Sequence, residues 1–425
     1  FSFFSRLRHP LMQTLRNTEL DGQQASWPQY MRRAIELAAS VFTAAPNPRV
    51  GCVIVKEDAH AGDRVLGEGW HKGAGLPHAE PNAIADAHRR AAEASGDTSV
   101  IESRRAQAQR LPAGATAFVT LEPCCHTGRT GPCSLALIEA GVERVVIASR
   151  DPNPKVSGGG IAALEASGIE VFFLQDFEDS ARRLNRGFFS RLERQRPFVR
   201  CKLAMSLDGR TALANGESKW ITSEAARSDV QRLRAECDAI VTGIETVLAD
   251  DPLMTLRPSE MGLSPQQLEY NEHRFLTPPI RVVIDSKARL GDSAKIVIGN
   301  GRCLAYRLDG AVGSAAAPSR YENRFAPSAN VSDSRVSLPS VLDSLASLDE
   351  CNEVLIEAGA TLSASFIEAG LVDELIVYIA PKLLGRDGRP LLGISGLDRL
   401  SDALDFDVDA VERIGADIKV TLRPR

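Results

Sequence analysis

Between residues 29 and 43 apolar side chains recur at helical spacing (Met31, Ile35, Ala38, Phe42), and the run stops short of Pro46. This predicts an amphipathic helix. Val50 to Lys56 reads as a strand, with Arg64 to Gly69 as its hairpin partner. Further along, an Ala-rich helix is expected over Pro81 to Ala94, strands over Ala115 to Leu121 and Val142 to Ala148, a helix over Ser134 to Ala140, and a helix–strand pair within Gly160 to Leu174. A second series starts at Pro197. It has strands at Phe198 to Met205, Ala239 to Gly243, Arg281 to Asp285, Glu353 to Glu357, Glu374 to Ala380 and Asp417 to Leu422, with helices at Ser223 to Glu236 and Ala360 to Ala369. Strands alternating with helices imply layered α/β domains in which helices cover a sheet.

The pattern breaks in informative places. Residues 95–113 are polar and charged, as in a surface insertion, and 258–279 and 308–337 are Pro-, Ser- and Asn-rich stretches expected to be loops. Gln175 to Arg196 carries Arg182, Arg183, Arg186, Arg191, Arg194 and Arg196 around Phe188 and Phe189. An anion-binding helix is one reading; a solvated linker helix with one apolar stripe is the favoured one. The expected organisation is an N-terminal extension (1–27), a first α/β domain (28–175), a linker (176–196) and a second α/β domain (197–425).

The chain has 425 residues, 44% hydrophobic and 25% charged, a composition that suits a globular protein of two or three domains. Lys+Arg 50 against Asp+Glu 55 leaves a net charge of −5, which argues against a protein that wraps nucleic acid. No stretch approaches the roughly 18–20 apolar residues that span a bilayer, so no membrane partner is expected. Residues 1–27 hold Arg6, Arg8 and Arg16 before the first acid, Glu19, without the long apolar core of a secretory signal. Of the 8 cysteines, Cys124, Cys125 and Cys133 cluster while the others stand alone, which points to metal binding before disulfides.

The strongest chemical signal combines that cluster with His78-Ala79-Glu80. One imidazole and two thiolates suit Zn²⁺ and leave a fourth tetrahedral position for water, which the metal acidifies. Glu80, two residues beyond the histidine, can face that water without ligating the metal and shuttle its proton to a departing amine. Such an H-x-E plus P-C…C arrangement is that of zinc nucleobase deaminases. Pro81 fits the first turn of a helix, which places His78 and Glu80 at its start. A closed structural site with Cys125 or His126 as fourth ligand is the alternative, and it leaves Glu80 without a role. Eight residues separate Cys124 from Cys133 where nucleobase deaminases commonly have two. The intervening Arg129 and Thr130, with His71 and Lys72, offer groups suited to a substrate phosphate.

These motifs resemble those of the bifunctional riboflavin-biosynthesis deaminase/reductase (RibD) family. The resemblance rests on Pro46-Asn47-Pro48-Arg49-Val50-Gly51, His78-Ala79-Glu80, Leu121-Glu122-Pro123-Cys124 and Gly128-Arg129-Thr130 in the first half. It continues through Lys202 to Thr211, Gly216 to Thr222, Ala249-Asp250-Asp251-Pro252, Ile284-Asp285-Ser286, Glu357-Ala358-Gly359 and Tyr378 to Gly385, so that it spans residues 28–422. Gly131 and Pro81 depart from the usual family residues. The resemblance implies a cytidine-deaminase-like three-layer α/β/α domain followed by a dihydrofolate-reductase-like α/β domain. It implies hydrolytic deamination of 2,5-diamino-6-(5-phosphoribosylamino)pyrimidin-4(3H)-one, then NADPH-dependent reduction of the ribosyl group to ribityl. His78, Cys124 and Cys133 would bind zinc, Glu80 would be catalytic, and Asn47, His71 and Arg129 would contact the deaminase substrate.

For the second half, residue patterns alone say less. No G-x-G-x-x-G follows its first strand, and Gly158-Gly159-Gly160 reads as a turn and helix entry. Glu357 to Ser363 is more telling, because a strand ending in glycine before small and hydroxyl residues can cradle a pyrophosphate. The resemblance implies Ala204, Trp220, Thr246, Asp250, Ser286 and Gly359, Ala360, Thr361, Leu362, Ser363, Ala364 and Ser365 on the NADPH side. It implies Ser218, Arg234, Met254, Arg257 and Glu357 on the substrate side. Arg234 and Arg257 are chemically sensible phosphate clamps, Lys202 and Glu357 are candidates for polarising the sugar, and Asp208 is expected to close a strand turn. A dimer or tetramer in the cytoplasm is expected by the same analogy. The reading from a different class is a zinc-stabilised scaffold protein with an inactive reductase-like domain.

Overall fold

The computed structural model describes residues 13–22, 24–58, 62–96, 110–126, 131–154, 156–308, 320–329 and 334–425. The chain separates into two compact units, 1–193 and 194–425.

In the first unit, strands β1 (Gln13–Leu15), β2 (Gly51–Lys56), β3 (Arg64–Trp70), β4 (Ala115–Val119), β5 (Arg144–Ile147) and β6 (Glu170–Leu174) form one sheet in the order β1-β6-β5-β4-β2-β3. Pairing is parallel from β1 through β4, while β2 is antiparallel to both β4 and β3. Helices α1 (Trp27–Ala39), α2 (Ala79–Ser95), α3 (Cys133–Ala140), α4 (Gly159–Ala166), α5 (Glu178–Leu184) and α6 (Arg186–Arg194) complete it. One sheet face packs Cys52, Ile54 and Val145 against Ala83, Leu137 and Ile161 of α2, α3 and α4. The other packs Val53, Val55 and Val146 against Met31 and Ala34 of α1 and Ala181 of α5. The result is three layers, α/β/α.

Two segments behave differently from expectation. Residues expected to lie outside the domain join it: β1 extends the sheet by pairing with β6, and Trp27 is fully buried in edge-on contact with Phe118 and Phe172. The stretch expected to be a solvated linker folds onto the first unit instead. Phe188 and Phe189 of α6 are buried against Leu121, Arg191 donates to the Pro46 carbonyl at 3.0 Å, and Asn185 Oδ1 receives the Arg49 N–H at 2.7 Å. The arginines are paired and stacked: Arg182 binds Glu193 at 2.8 Å and lies 4.1 Å from the Phe189 ring centre.

In the second unit, strands β7 (Phe198–Ser206), β9 (Ala239–Gly243), β10 (Ile280–Ile284), β11 (Cys303–Leu308), β12 (Glu322–Ala326), β13 (Glu353–Ile356), β14 (Glu374–Ala380), β16 (Phe406–Ile414) and β17 (Asp417–Pro424) form a nine-stranded sheet. Its order is β12-β11-β10-β9-β13-β7-β14-β17-β16, parallel as far as β14 and antiparallel thereafter. Short strands β8 (Arg210–Ala212) and β15 (Arg389–Pro390) pair separately. Helices α12 (Leu338–Ser347) and α13 (Ala360–Glu368) pack on one face through Val341, Leu345 and Phe366. On the other face lie α7 (Glu224–Glu236), α8 (Ile244–Asp250) and α11 (Lys295–Ile298).

Sequence patterns missed β11, β12 and β16 of the large sheet and the short β8 and β15. β12 and β16 are sheet edges with mostly exposed side chains, and a register shift near Val408 disturbs the alternation in β16, so neither shows the apolar period of a covered strand. The segment 258–279, expected to be loop, contains α9 (Pro265–Tyr270) and α10 (Glu272–Leu276). Asp208 does close the turn after β7: it accepts from Ser206 Oγ and from the N–H groups of Leu384 and Gly385.

Candidate active sites

The first site is assembled by two close backbone approaches. A Cβ on Gly69 would lie 2.4 Å from the Ala79 carbonyl oxygen, and one on Gly160 would lie 1.9 Å from that of Pro123. Lacking side chains at these points, β3 can lie against the start of α2, and α4 against the loop that carries Cys124. His78 caps α2 in an extended conformation (φ −73°, ψ 176°), and Glu80 sits in the first turn. Cys133 is the first residue of α3.

These placements bring His78 Nδ1 within 3.2 Å of Cys133 Sγ and 3.7 Å of Cys124 Sγ. One ligand atom from each of the three residues lies within 4.8 Å of the others. Cys133 N–H donates to Cys124 Sγ at 3.3 Å. The side-chain hydrogen bond between the two cysteines holds the Cys124 thiol down to about 4 against the effect of burial, with His78 assisting, and the same bond, together with burial, pushes Cys133 well above the usual thiol range. Two cysteine sulfurs and one imidazole converging on a single point, with both thiols giving up their protons to a bound metal, are the donor set zinc prefers, so the residues present fit the ion. Glu80 is 3% exposed and lies beside this set. Burial, reinforced by the negative Cys124, pushes its carboxyl up to about 7.

A cavity of about 130 Å³ adjoins the trio, lined by Asn47, His71, Glu80, Glu122 and Asp151 among others. His71 Nδ1 donates to the Pro77 carbonyl at 3.0 Å, so Nε2 accepts from Asn47 Nδ2 at 3.0 Å and the ring is the neutral tautomer. Asn47 and His71 are thus brought to the site as expected. Lys72 lies 5.3 Å from the Trp70 ring centre and does not line the cavity. Arg129 and Thr130 fall outside the described residues. Cys125 is turned away from the ligand set, its sulfur packed where a Cβ on Gly159 would come within 2.7 Å.

Glu122 and Asp151 were not foreseen as lining residues. Glu122 accepts from Gly160 N–H at 3.2 Å and Ile161 N–H at 3.4 Å, which ties the Cys124 loop to the start of α4. Burial pushes the Asp151 carboxyl up to about 7. The available signal for Asp151 was positional: it follows the C-terminal end of β5, where ligands bind α/β sheets.

The second site lies where the C-terminal ends of β9, β10 and β13 meet, around a cavity of about 480 Å³. Gly359 caps α13, so the N–H groups of Ala360, Thr361 and Leu362 precede the helix's own hydrogen bonding. Ser363 N–H is the first satisfied, donating to Gly359 O at 3.1 Å. Such a first turn is an anion cradle, and the residues present fit a dinucleotide. Thr246, Ser286, Gly359, Ala360, Thr361, Leu362 and Ser365 line this cavity. Other residues of the expected cofactor set lie elsewhere. Ser363 is fully buried with its hydroxyl on the Ala358 carbonyl, and Ala364 packs in the core, because both sit on the sheet-facing side of α13. Ala204 faces the α7 cluster. Trp220 is 64% exposed beneath the Arg227 guanidinium. Asp250 ends α8 outside the cavity.

On the expected substrate side, Arg234 is not a free phosphate clamp. Its guanidinium binds both Glu357 oxygens, at 2.6 and 2.9 Å, and the Thr255 carbonyl at 3.2 Å. Burial raises the Glu357 carboxyl, but Arg234 outweighs it and holds the group below the usual range. Lys202 is pushed down by burial, against the attraction of Glu357, so these two are brought together. Met254 is 5% exposed in the core beside Ile244, not facing solvent. Arg257 is half-exposed and paired with Glu260 at 2.9 Å. Ser218 is half-buried in the loop after β8. Arg274, in the segment expected to be loop, donates to Ala235 O at 2.8 Å and to Cys237 O, and so fixes the end of the helix that carries Arg234.

Fold and sites together define a two-domain α/β enzyme: a zinc-dependent deaminase unit followed by a dinucleotide-dependent reductase unit. Residues 25–149 match the family of the cytidine and deoxycytidylate deaminase zinc-binding region, and residues 197–420 match the RibD C-terminal domain family. The riboflavin biosynthesis protein RibD of Escherichia coli (strain K12) is 43% identical over 390 residues, covering 92% of this chain and 97% of that protein. That of Haemophilus influenzae is 42% identical over 399 residues, covering 93% and 97%. The solved structure of Acinetobacter baumannii RibD superposes with a TM-score of 0.77 at 39% identity, covering 93% of this chain and 98% of that one. A Thermotoga maritima structure described as a diaminohydroxyphosphoribosylaminopyrimidine deaminase/5-amino-6-(5-phosphoribosylamino)uracil reductase gives 0.74 at 31% identity, covering 95% and 99%. The chain belongs to the RibD family of bifunctional riboflavin-biosynthesis enzymes.

Proposed function

We propose that the first unit hydrolytically deaminates 2,5-diamino-6-(5-phosphoribosylamino)pyrimidin-4(3H)-one and that the second reduces the resulting 5-amino-6-(5-phosphoribosylamino)uracil to its ribityl product with NADPH. The observation that carries the reading is the His78, Cys124, Cys133 trio with the buried Glu80 beside it. Zinc held there supplies the Lewis acidity that makes water nucleophilic near neutral pH. Glu80 accepts the proton from water at a carboxylate oxygen and delivers it to the departing amine, so that a C–NH₂ bond is exchanged for C=O and ammonia leaves. Asn47 and the neutral His71, locked together, hold the pyrimidine. Arg129 is retained as the phosphate contact of this reading.

In the second unit NADPH supplies the hydride. The first turn of α13 binds the pyrophosphate through Ala360, Thr361 and Leu362, flanked by Thr246, Ser286 and Ser365. Lys202 polarises the sugar oxygen, and Glu357, fixed by Arg234, holds the lysine charge in place. Arg257 is the remaining phosphate ligand, and Ser218 joins it on the substrate side. A homodimer or homotetramer belongs to the same reading and is checked by sedimentation. So does a cytoplasmic location. No helix among the described residues is long and apolar enough to cross a membrane.

The scaffold reading requires a fourth protein ligand, and the metal-type cluster found among the described residues has three. Incubation with the diamino substrate, following ammonia and NADPH separately, tests the proposal. Release of ammonia before NADPH oxidation is expected; absence of both overturns it.

A further inference from the structure

One wall of the deaminase cavity comes from α6, a helix that lies in neither family match: the deaminase match ends at residue 149 and the reductase match begins at 197. Phe188 of α6 lines the cavity together with Asn47, His71 and Glu80. It is 6% exposed and packs with Leu121 and Val50, so apolar neighbours hold its ring in place. Among the described lining residues it carries the one phenyl ring.

The same helix grips the loop that carries Asn47. Asn185 stands at the start of α6, its carbonyl accepting Phe189 N–H at 3.0 Å. Asn185, Phe188 and Arg191 follow at three-residue spacing and so share a face. The Asn185 amide takes both main-chain groups of Arg49: Oδ1 accepts the N–H at 2.7 Å and Nδ2 donates to the carbonyl at 2.9 Å. A neighbouring antiparallel strand would offer the same pair of bonds. The Arg49 guanidinium in turn donates to the Leu184 carbonyl. Arg191 donates to the Pro46 carbonyl at 3.0 Å, and its guanidinium carbon lies 6.0 Å from the Phe188 ring centre. The main chain is therefore held one residue before Asn47 and two residues after it. This fixes the backbone from which the Asn47 amide reaches His71 Nε2 at 3.0 Å.

The zinc donor set is common to nucleobase deaminases and does not choose the base; a planar base is read by aromatic or apolar surfaces and by hydrogen bonds at its edge. We propose that α6 is a substrate-recognition element of the deaminase: Phe188 contacts the pyrimidine ring, and Asn185 and Arg191 are positioning residues that set Asn47 against the ring's edge. The inference rests on the deaminase reading of this cavity. It deepens that reading by giving part of substrate selection to the segment between the two matched regions.

The test follows ammonia release by the full-length zinc protein against the concentration of the diamino substrate. Phe188→Leu keeps an apolar side chain but removes the ring face; KM should rise by about fivefold with kcat within about twofold, the signature of lost ground-state binding. Arg191→Met should raise KM by about threefold or more, and Arg191→Lys, which keeps a donor for the Pro46 carbonyl, should restore most of it. In an Asn47→Ala background the Arg191→Met effect should shrink to less than about twofold, because a residue acting through Asn47 has nothing left to position, whereas general damage to the fold would add in full. One measurement needs no change in α6 and decides the matter if an α6 variant loses zinc. In zinc-loaded Glu80→Gln, which should bind without turnover, the diamino substrate should slow amide exchange along α6 by about threefold or more. An unchanged KM in Phe188→Leu, an undiminished Arg191→Met effect in the Asn47→Ala background, or unchanged exchange along α6 overturns the inference while leaving the deaminase reading intact. Absence of ammonia release by the unaltered zinc protein overturns both.

Discussion

The two active sites are built from different materials. The deaminase site is made of side chains whose chemistry is specific in itself: an imidazole, two sulfurs and a carboxyl from short segments at the starts of α2 and α3 and the loop after β4. The reductase site is made largely of main-chain N–H groups, hydroxyls and exposed cations at the ends of three strands. A histidine flanked by a carboxyl and matched with cysteines has few other uses, so its function survives reading without coordinates. An N–H group is present at nearly every residue and gains meaning only from where the helix begins. Accordingly, expected residues of the first site meet at one point. In the second, Ser363 and Ala364 face the core, and Arg234 is occupied by Glu357.

Glu80→Gln gives the widest separation between the sites. Ammonia release should fall by about 10³-fold or more, the scale of lost general acid–base catalysis, with zinc retained by elemental analysis. NADPH oxidation by the deaminated intermediate should continue; if it stops too, the two sites are not independent.

Glu357→Ala tests whether the reductase site depends on ion pairing within the fold. Removing one partner of a buried pair leaves Arg234 uncompensated, and a loss of about 3 kcal/mol is expected in urea unfolding. The pair also predicts a pH signature. The folded Glu357 carboxyl is held below its ordinary value, so its contribution is complete above the unfolded value of about 4.3 and is lost as pH falls through the lower folded value. Acid titration of the urea midpoint should show this slope in the unaltered protein and a shallower one in Glu357→Gln.

Gly160→Ala probes how strictly the metal corner depends on backbone contact. The added Cβ would meet the Pro123 carbonyl at 1.9 Å, and an overpacking cost of about 2 kcal/mol is expected. Because Pro123 precedes Cys124, zinc content should fall in proportion, measured after gel filtration. Alanine tolerated with full zinc would show that the loop accommodates the strain.

Cys125→Ser should have the smallest effect. Its sulfur packs toward Gly159 and lies outside the ligand set, so zinc stoichiometry should hold at one per chain and ammonia release should change by less than about twofold. Loss of zinc in this variant would revive the closed four-ligand site.

Much of the fold was legible because period-3.6 and period-2 apolar runs mark elements with a covered face, as in α1, β2, β7 and β14. Elements without one covered face were not: β12 and β16 are sheet edges, and α9 and α10 lie within a polar stretch. The linker was misread for a related reason. Its arginines suggested a solvated helix, but Phe188 and Phe189 find a buried seat against Leu121 that no local pattern records.

The sequence by itself determined the alternation of strands and helices, the zinc donor set and the carboxyl beside it, because these depend on residue type and short spacing. The tertiary structure alone decided that Arg234 serves Glu357, that Asp151 and Glu122 reach the deaminase cavity, and that α6 walls that cavity. Those facts rest on contacts between residues far apart along the chain, and such contacts exist only once the sheet order is set.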